Sequence, residues 1–448
     1  MAKPSLKSAS RASLRHVATK LWAALSSIGL VFLAGALAGC GVLTAPGAGV
    51  RKASYPALTQ STRSYNWLVV KCQLSDAPTI PAGLDAKIRQ FFGISGMGYG
   101  NIPDYFHDVS YNHASVLSDT TVGWVTAPFS IANLQTGPLA PSGARLQRVS
   151  QCLNAIPADQ LPDMDQFYGV VVINNVVQDG GSCLPIGPTP IVINKKSFNL
   201  ACVWFDPNSL FTAFASHEIG HGLGLTHSYD DSQKTCGGAV GEYCDPWDIM
   251  SAMATFTFND GNWTLPGVLG NEGPGLSGPG LIRMGWLPSS NIREFQAEGG
   301  EQTFKIRALS RPRAGEPMVI MVPVASRQGT SGFITVEYRQ NDGWDRGFAT
   351  SRPEVLKNGG AVLVHRANTA TAQPLSWLIE NATGGAIGPC GKLIFNGDDG
   401  IVFHVTVESF DLADGSATVS MGFGRTGKFI RCLSEVIKSP GGIDFPHP

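Results

Sequence analysis

The chain reads as an α+β protein: a mixed N-terminal half built around one central buried helix, followed by a β-sandwich-like half. Three observations predict this. Short apolar runs separated by glycine and proline turns recur along the length, the pattern of brief strands. Pro207 to Leu210 leads into a helix of which Phe211, Phe214 and Ala215 form part of the apolar side. The 448 residues include 53 glycines and only 15% charged residues, which marks a chain rich in loops and strands outside its helices.

Taken in order, the first residues are a leader. Lys3, Lys7, Arg11, Arg15 and Lys20 form a basic segment without acids, followed by the apolar Ile28 to Leu37 and then Leu37-Ala38-Gly39-Cys40. Small residues before a cysteine look like a bacterial lipobox, which makes Cys40 the lipidated mature N-terminus and a membrane anchor. An uncleaved anchor and an ordinary signal peptide are the alternatives, and all three place the chain outside the cytoplasm. The expected organisation is a leader over 1–39, lipidated cysteine and flexible tether over 40–65, a helix-bearing domain over 66–290, a β-rich domain over 291–435, and a tail over 436–448. Setting Cys40 aside leaves eight cysteines, an even set suited to disulfides in an exported chain. Cys236 and Cys244 are close enough in sequence to form a local pair.

The whole chain carries 33 basic and 34 acidic residues. Without the five basic leader residues the balance is -6, which gives no reason to expect nucleic acid as a partner.

Trp67 to Val70 predicts an early strand, and Leu84 to Phe92 a short helix. Pro103 to Tyr111 predicts an amphipathic turn or helix, and Val122 to Val125 a strand. His107 and His113 lack ligand-like spacing and read as surface residues. Gly169 to Ile173, Ile191 to Ile193 and Leu200 to Trp204 predict three strands ahead of the central helix, whose first turn Asp206 or Asn208 is placed to cap.

The helix carries the chemistry, in Ser216-His217-Glu218-Ile219-Gly220-His221-Gly222-Leu223-Gly224-Leu225-Thr226-His227. Four residues apart on one helical face, His217 and His221 point at a common ion, with Glu218 beside them at the distance of a metal-bound water. On a continued helix His227 would face away, but Gly224 can take positive φ and end the helix, returning His227 to the same ion. Three histidines leave a fourth position open, as in a catalytic zinc site. Downstream, Met250 sits in a turn suited to placing its side chain beneath the imidazoles, with Met253 as a weaker candidate.

Gly278 to Trp286 predicts a helix or turn closing this domain. Beyond Asn291, strand-like runs occur at 304–306, 319–322, 333–338, 361–365, 401–403 and 417–421. His365 and His404 lie within such runs and read as satisfied core or surface histidines. Asn396, Asp398 and Asp399 offer oxygen ligands to Ca2+, but no full loop pattern is present and a polar turn is preferred.

Together, His217-Glu218-x-x-His221-x-x-Gly224-x-x-His227 and Asp248-Ile249-Met250-Ser251 resemble the metzincin zinc endopeptidases. The finer likeness is to the immune-inhibitor-A and gametolysin-like groups. It rests on Tyr105-Phe106, Ser110-Tyr111, Val122-Gly123-Trp124, Met284 to Leu287, Val336 to Arg339 and Gly343 to Asp345, and it covers about residues 66 to 430. The resemblance implies one catalytic Zn2+ held by His217, His221 and His227, Glu218 as general base and Met250 as the Met-turn residue. It implies cleavage of protein or peptide substrates at the cell surface or beyond. Some metzincins place a tyrosine two residues after the turn methionine. Ala252 stands there, so no such tyrosine is expected. Two other functions fit the residues: a zinc hydrolase of another amide such as a cell-wall cross-link, and a non-enzymatic surface binding lipoprotein.

Overall fold

The structure, a computed structural model, describes residues 63–424 apart from 99, 252–254, 260–270, 296–299, 326–330, 349–357, 369–375, 381–383 and 397–401. The expected leader, Cys40, nearly all of the tether, Ala252, Met253, Asp398 and Asp399 lie outside the described residues. Among the described residues no helix is long and apolar enough to cross a membrane.

The fold is mixed α+β. Its first half is a seven-stranded sheet: β1 (Arg63–Gln73), β2 (Ala114–Leu117), β3 (Thr121–Thr126), β4 (Gly169–Asn174), β5 (Gly181–Ser182), β6 (Thr189–Ile193) and β7 (Lys196–Phe205). β1 runs parallel to β2, β3 and β4, and β4 runs parallel to β7. The short β5 and β6 are antiparallel to β7. Between and after these strands come α1 (Leu84–Phe92), α2 (Ile102–Val109), α3 (Ile131–Gln135), α4 (Arg145–Asn154) and α5 (Thr212–Gly222).

Strand alternation sets the two cores. Val171 and Ile173 of β4 pack with apolar residues of α1, α2 and α5, whereas Val170 and Val172 pack with those of α4. A strand covered on both faces must be apolar at every position, which is why Gly169 to Ile173 was legible as buried.

The second half holds β8 (Ser228–Asp230), α6 (Gly278–Met284), β9 (Ile292–Glu294), β10 (Gln302–Arg307), β11 (Val319–Ala325), β12 (Ser331–Gln340), β13 (Gly360–Asn368), β14 (Ser376–Leu378), β15 (Lys392–Asn396), β16 (Val402–Asp411) and β17 (Ser416–Phe423). Six of the strands form a sheet in the order β8-β14-β13-β12-β11-β9, and four form another in the order β10-β17-β16-β15. Ile334, Val336, Tyr338, Val362 and Val364 from the larger sheet share one core with Val405, Val407 and Val419 from the smaller.

The strand-like runs beyond Asn291 fall within strands, except that Ile401 lies outside the described residues. The very short β5, β8, β9 and β14 have no counterpart in the sequence reading, since two or three residues carry too little periodicity to register. β8 matters most. It begins one residue after His227 and pairs in parallel with β14, so hydrogen bonding crosses the expected boundary near residue 290.

Candidate metal centre

Helix α5 is buried almost all round, which makes it a central element rather than a surface one. The expected cap is displaced. Asp206 accepts from the Ser209 amide at 2.8 Å and caps the short turn Pro207–Ser209, whereas α5 itself starts after Phe211 with no side-chain cap. The intervening Leu210 and Phe211 break the helical run, so the acid lies one turn too early.

The end of α5 follows from Gly224. Its φ is +100°, the Leu225 amide bonds the Gly220 carbonyl at 2.9 Å, and the Gly224 amide bonds the His221 carbonyl at 3.0 Å. This pair of bonds around a left-handed glycine is a Schellman ending. It reverses the chain and delivers His227 to the face that carries His217 and His221.

One ligand-type nitrogen from each of the three histidines lies within 4.8 Å of the others. His217 Nδ1 is 2.9 Å from the Ile249 carbonyl, and His221 Nδ1 is 2.8 Å from the Leu225 carbonyl. A carbonyl only accepts, so each Nδ1 carries the proton and each Nε2 presents a lone pair. Those two Nε2 atoms are 3.0 Å apart. Two lone pairs facing at that distance repel unless a cation lies between them, and so the donor set fits a divalent metal. Burial first, then neighbouring imidazoles, depress both histidines, His221 to about 4 and His217 well below its ordinary value. Both are neutral at physiological pH, the form in which an imidazole can bind a metal.

His227 is held differently. Its Nδ1 pairs with Glu242 Oε1, and its Nε2 lies 2.9 Å from the Tyr243 hydroxyl. Its side chain is 25% exposed, whereas His217 and His221 are 2% and 4% exposed. Burial pushes Glu242 upward, but the Ala239 amide and His227 outweigh it and leave this acid below the usual carboxylate range. A carboxylate on the second nitrogen of a ligating imidazole fixes its tautomer and raises its basicity.

Glu218 is 7% exposed, and its Oε2 accepts from the Ser182 amide at 2.6 Å. Burial raises its pKa to about 7, with the Ser182 amide and Arg145 opposing. Ser182 belongs to β5, at the edge of the seven-stranded sheet. The Arg145 guanidinium reaches the Ser182 carbonyl at 3.3 Å and grips Asp179 through two nitrogens at 2.7 and 3.0 Å.

Met250 lies in the turn Ile249–Ser251. A Cβ placed on Gly220 would meet its sulfur at 2.8 Å, so the methionine packs directly against the helix at this glycine and would have to shift for any larger residue. Asp248 Oδ1 accepts from the Met250 amide at 2.9 Å and pins the turn. Cys236 and Cys244 form the expected disulfide, and Cys72–Cys152 and Cys183–Cys202 form two more.

Of the residues singled out from sequence, His217, Glu218, His221, His227 and Met250 come together. His107 instead lies beside Asp108, His365 beside Asp245, and His404 against the Gly424 carbonyl. Sequence reasoning missed Glu242 and Tyr243. No tyrosine was expected two residues after the methionine, where Ala252 stands; Tyr243 reaches His227 from elsewhere, the Cys236–Cys244 loop. Its φ of +62° is rare for a residue with a Cβ. Burial and the Glu242 charge push its phenol up to about 12, so it is a hydroxyl donor at neutral pH. Its place just before the cysteine of a predicted staple was the available signal.

No family model matches the chain, and no curated protein matches it. Among solved structures it is similar to metalloproteinase-II from Bacteroides fragilis, with 14% identity and a TM-score of 0.26 over 51% of this chain and 54% of that one. The chain therefore spans about half the length of that protein. It is also similar to the catalytically inactive OgpA from Akkermansia muciniphila in complex with an O-glycopeptide, with 12% identity and a TM-score of 0.22 over 82% of this chain and 95% of that one. Overlaps this loose carry no argument about fold or activity, which rest on the site itself.

Proposed function

We propose that the chain is a metzincin-like, zinc-dependent endopeptidase whose first half carries the site and whose two-sheet second half is β-sandwich-like. The observation that carries this reading is the pair of buried imidazoles whose Nε2 lone pairs converge at 3.0 Å, with His227 alongside and a buried carboxylate one residue from the first ligand.

His217, His221 and His227 would hold Zn2+, which when bound supplies Lewis acidity and lowers the pKa of water. Glu218 takes the proton from the attacking water and returns it to the leaving amine. A pKa raised to about 7 suits a group that must both accept and release that proton. The Tyr243 hydroxyl, 2.9 Å from the ligating nitrogen of His227, is placed to donate to the carbonyl oxygen as charge develops there. Strand β5 borders the site through Ser182 and offers the edge along which an extended peptide would lie.

Export and lipid anchoring at Cys40 complete the proposal and place the substrate outside the cytoplasm. The test is cleavage of a peptide library by the mature protein with and without a chelator, beside its Glu218→Gln form. Metal-dependent cleavage lost in that form supports the reading, while chelator-resistant cleavage or none at all in any fold-competent, zinc-loaded sample refutes it.

A further inference from the structure

On the larger C-terminal sheet, alternation turns Ile334, Val336 and Tyr338 of β12 toward the smaller sheet. Glu337 and Arg339 therefore point to the opposite face, as does His365 of β13, and all three are fully buried. Buried charges require partners, and here the partners lead to the metal centre by two routes.

Arg339 holds Asp345 through Nε and Nη2 at 2.7 and 2.6 Å. Asp345 Oδ1 accepts from the Gly275 amide at 3.0 Å, and the Gly275 carbonyl accepts from the Ile249 amide at 3.2 Å. The Ile249 carbonyl in turn orients His217. By the other route, Glu337, 3.2 Å from Arg339, accepts from the Gly278 amide, and the neighbouring Ser277 hydroxyl donates to Asp248, which pins Met250. His365 Nε2 lies 3.1 Å from Asp245 at the start of the same turn. Separately, β14 pairs with β8 directly after His227.

We infer that the C-terminal sheet is a working part of the metal centre, with Glu337, Arg339 and His365 as positioning residues for His217 and β14 as the positioning strand for His227. This rests on the three histidines holding a metal and is independent of which bond is cleaved. A buried ion network is weak as a source of stability, because apolar residues of like volume often serve as well. What it provides is direction. Each link is a hydrogen bond or ion pair: the Arg339 route ends on Ile249, whose carbonyl meets His217 Nδ1, while the Glu337 route ends on Met250 in the same turn and His365 on Asp245 ahead of it.

Coupling of this kind is reciprocal, since whatever the sheet does for the metal the metal does for the sheet. Hydrogen exchange of the zinc-loaded and metal-free wild-type chain is therefore the primary test. Slower exchange in Ser376–Leu378 and around Glu337 and Arg339 on zinc binding is expected, besides that in the histidine segment. Protection confined to residues 212–250 overturns the inference. A second arm measures zinc affinity by chelator competition and the visible spectrum of the cobalt-loaded protein in Glu337→Ala and Glu337→Gln. The alanine form is expected to bind zinc roughly tenfold more weakly, at the lower end of the loss seen for outer partners of metal sites, and to show a shifted cobalt band. The glutamine form keeps an oxygen for the Gly278 amide and is expected to recover most of both. A folded alanine form with unchanged affinity and spectrum counts against the inference, and if that variant does not fold the wild-type exchange result decides. Calorimetry showing no zinc binding at all overturns the metal reading itself, whereas binding without any response in the sheet overturns this inference alone.

Discussion

The two sides of the metal centre are built from different materials. His217 and His221 sit on one helix, are almost fully buried, and are oriented by backbone carbonyls of Ile249 and Leu225. His227 sits past the helix, is partly exposed, and is oriented by side chains of a disulfide-closed loop, Glu242 and Tyr243. The first side is oriented by main-chain acceptors, and the second by side chains of a single loop. On this comparison the two buried, helix-borne histidines form the more rigid side of the candidate site, and the partly exposed His227 the more adjustable one.

The largest effect that probes this contrast comes from the rigid side. Glu218→Gln keeps the size of the side chain and an oxygen for the Ser182 amide, so zinc content by metal analysis should be unchanged while turnover falls by about 10²- to 10⁴-fold. Near-normal turnover with the metal retained would remove Glu218 from the mechanism. On the adjustable side, Glu242→Ala leaves His227 without its carboxylate, and zinc affinity measured by chelator competition should fall by about 10- to 100-fold. An unchanged affinity would mean that His227 is held by its strand alone and that the two sides are alike.

What was legible in the sequence divides along the same line. Histidines four apart, a glycine at the helix end and a third histidine are local facts, and Gly224 at positive φ closes a Schellman ending that local chemistry dictates. Cys236–Cys244 was legible because the two cysteines are near neighbours. Glu242 and Tyr243 were not, because an acid and a tyrosine in a glycine-rich loop have no periodicity, and only the folded loop shows them reaching His227. Nor was β14, three residues long, whose pairing with β8 spans over 140 residues. Asp206 shows a smaller miss: an acid ahead of a helical pattern was read as its cap, but it closes the preceding turn.

Tyr243 gives a finer test of the adjustable side. Tyr243→Phe removes one hydroxyl and leaves the ring packed on His227, with which it now makes a contact of 4.3 Å between centroids. If the hydroxyl donates to the developing oxyanion, kcat should fall by roughly tenfold or more with zinc affinity and KM little changed, since an interaction made only in the transition state is lost from kcat. A rise in KM alone would place the phenol in substrate binding instead.

The smallest effect is counted in protons. Ligands bind a metal only in their neutral form, so metal uptake displaces whatever protons they carry. Three imidazoles at the ordinary value near 6.5 would together release about two protons at pH 6. Burial lowers His217 and His221 below that value, His221 to about 4, so this pair has fewer protons to give than two ordinary imidazoles. The Glu218→Gln protein is the one to use, since Glu218, raised to about 7 by burial, would add a proton of its own. Zinc titration at pH 6 in buffers of differing ionisation enthalpy should then show about one proton released or fewer. Release near two would mean that burial does not hold the helix-borne histidines neutral, and the contrast between the rigid and adjustable sides would fail at its root.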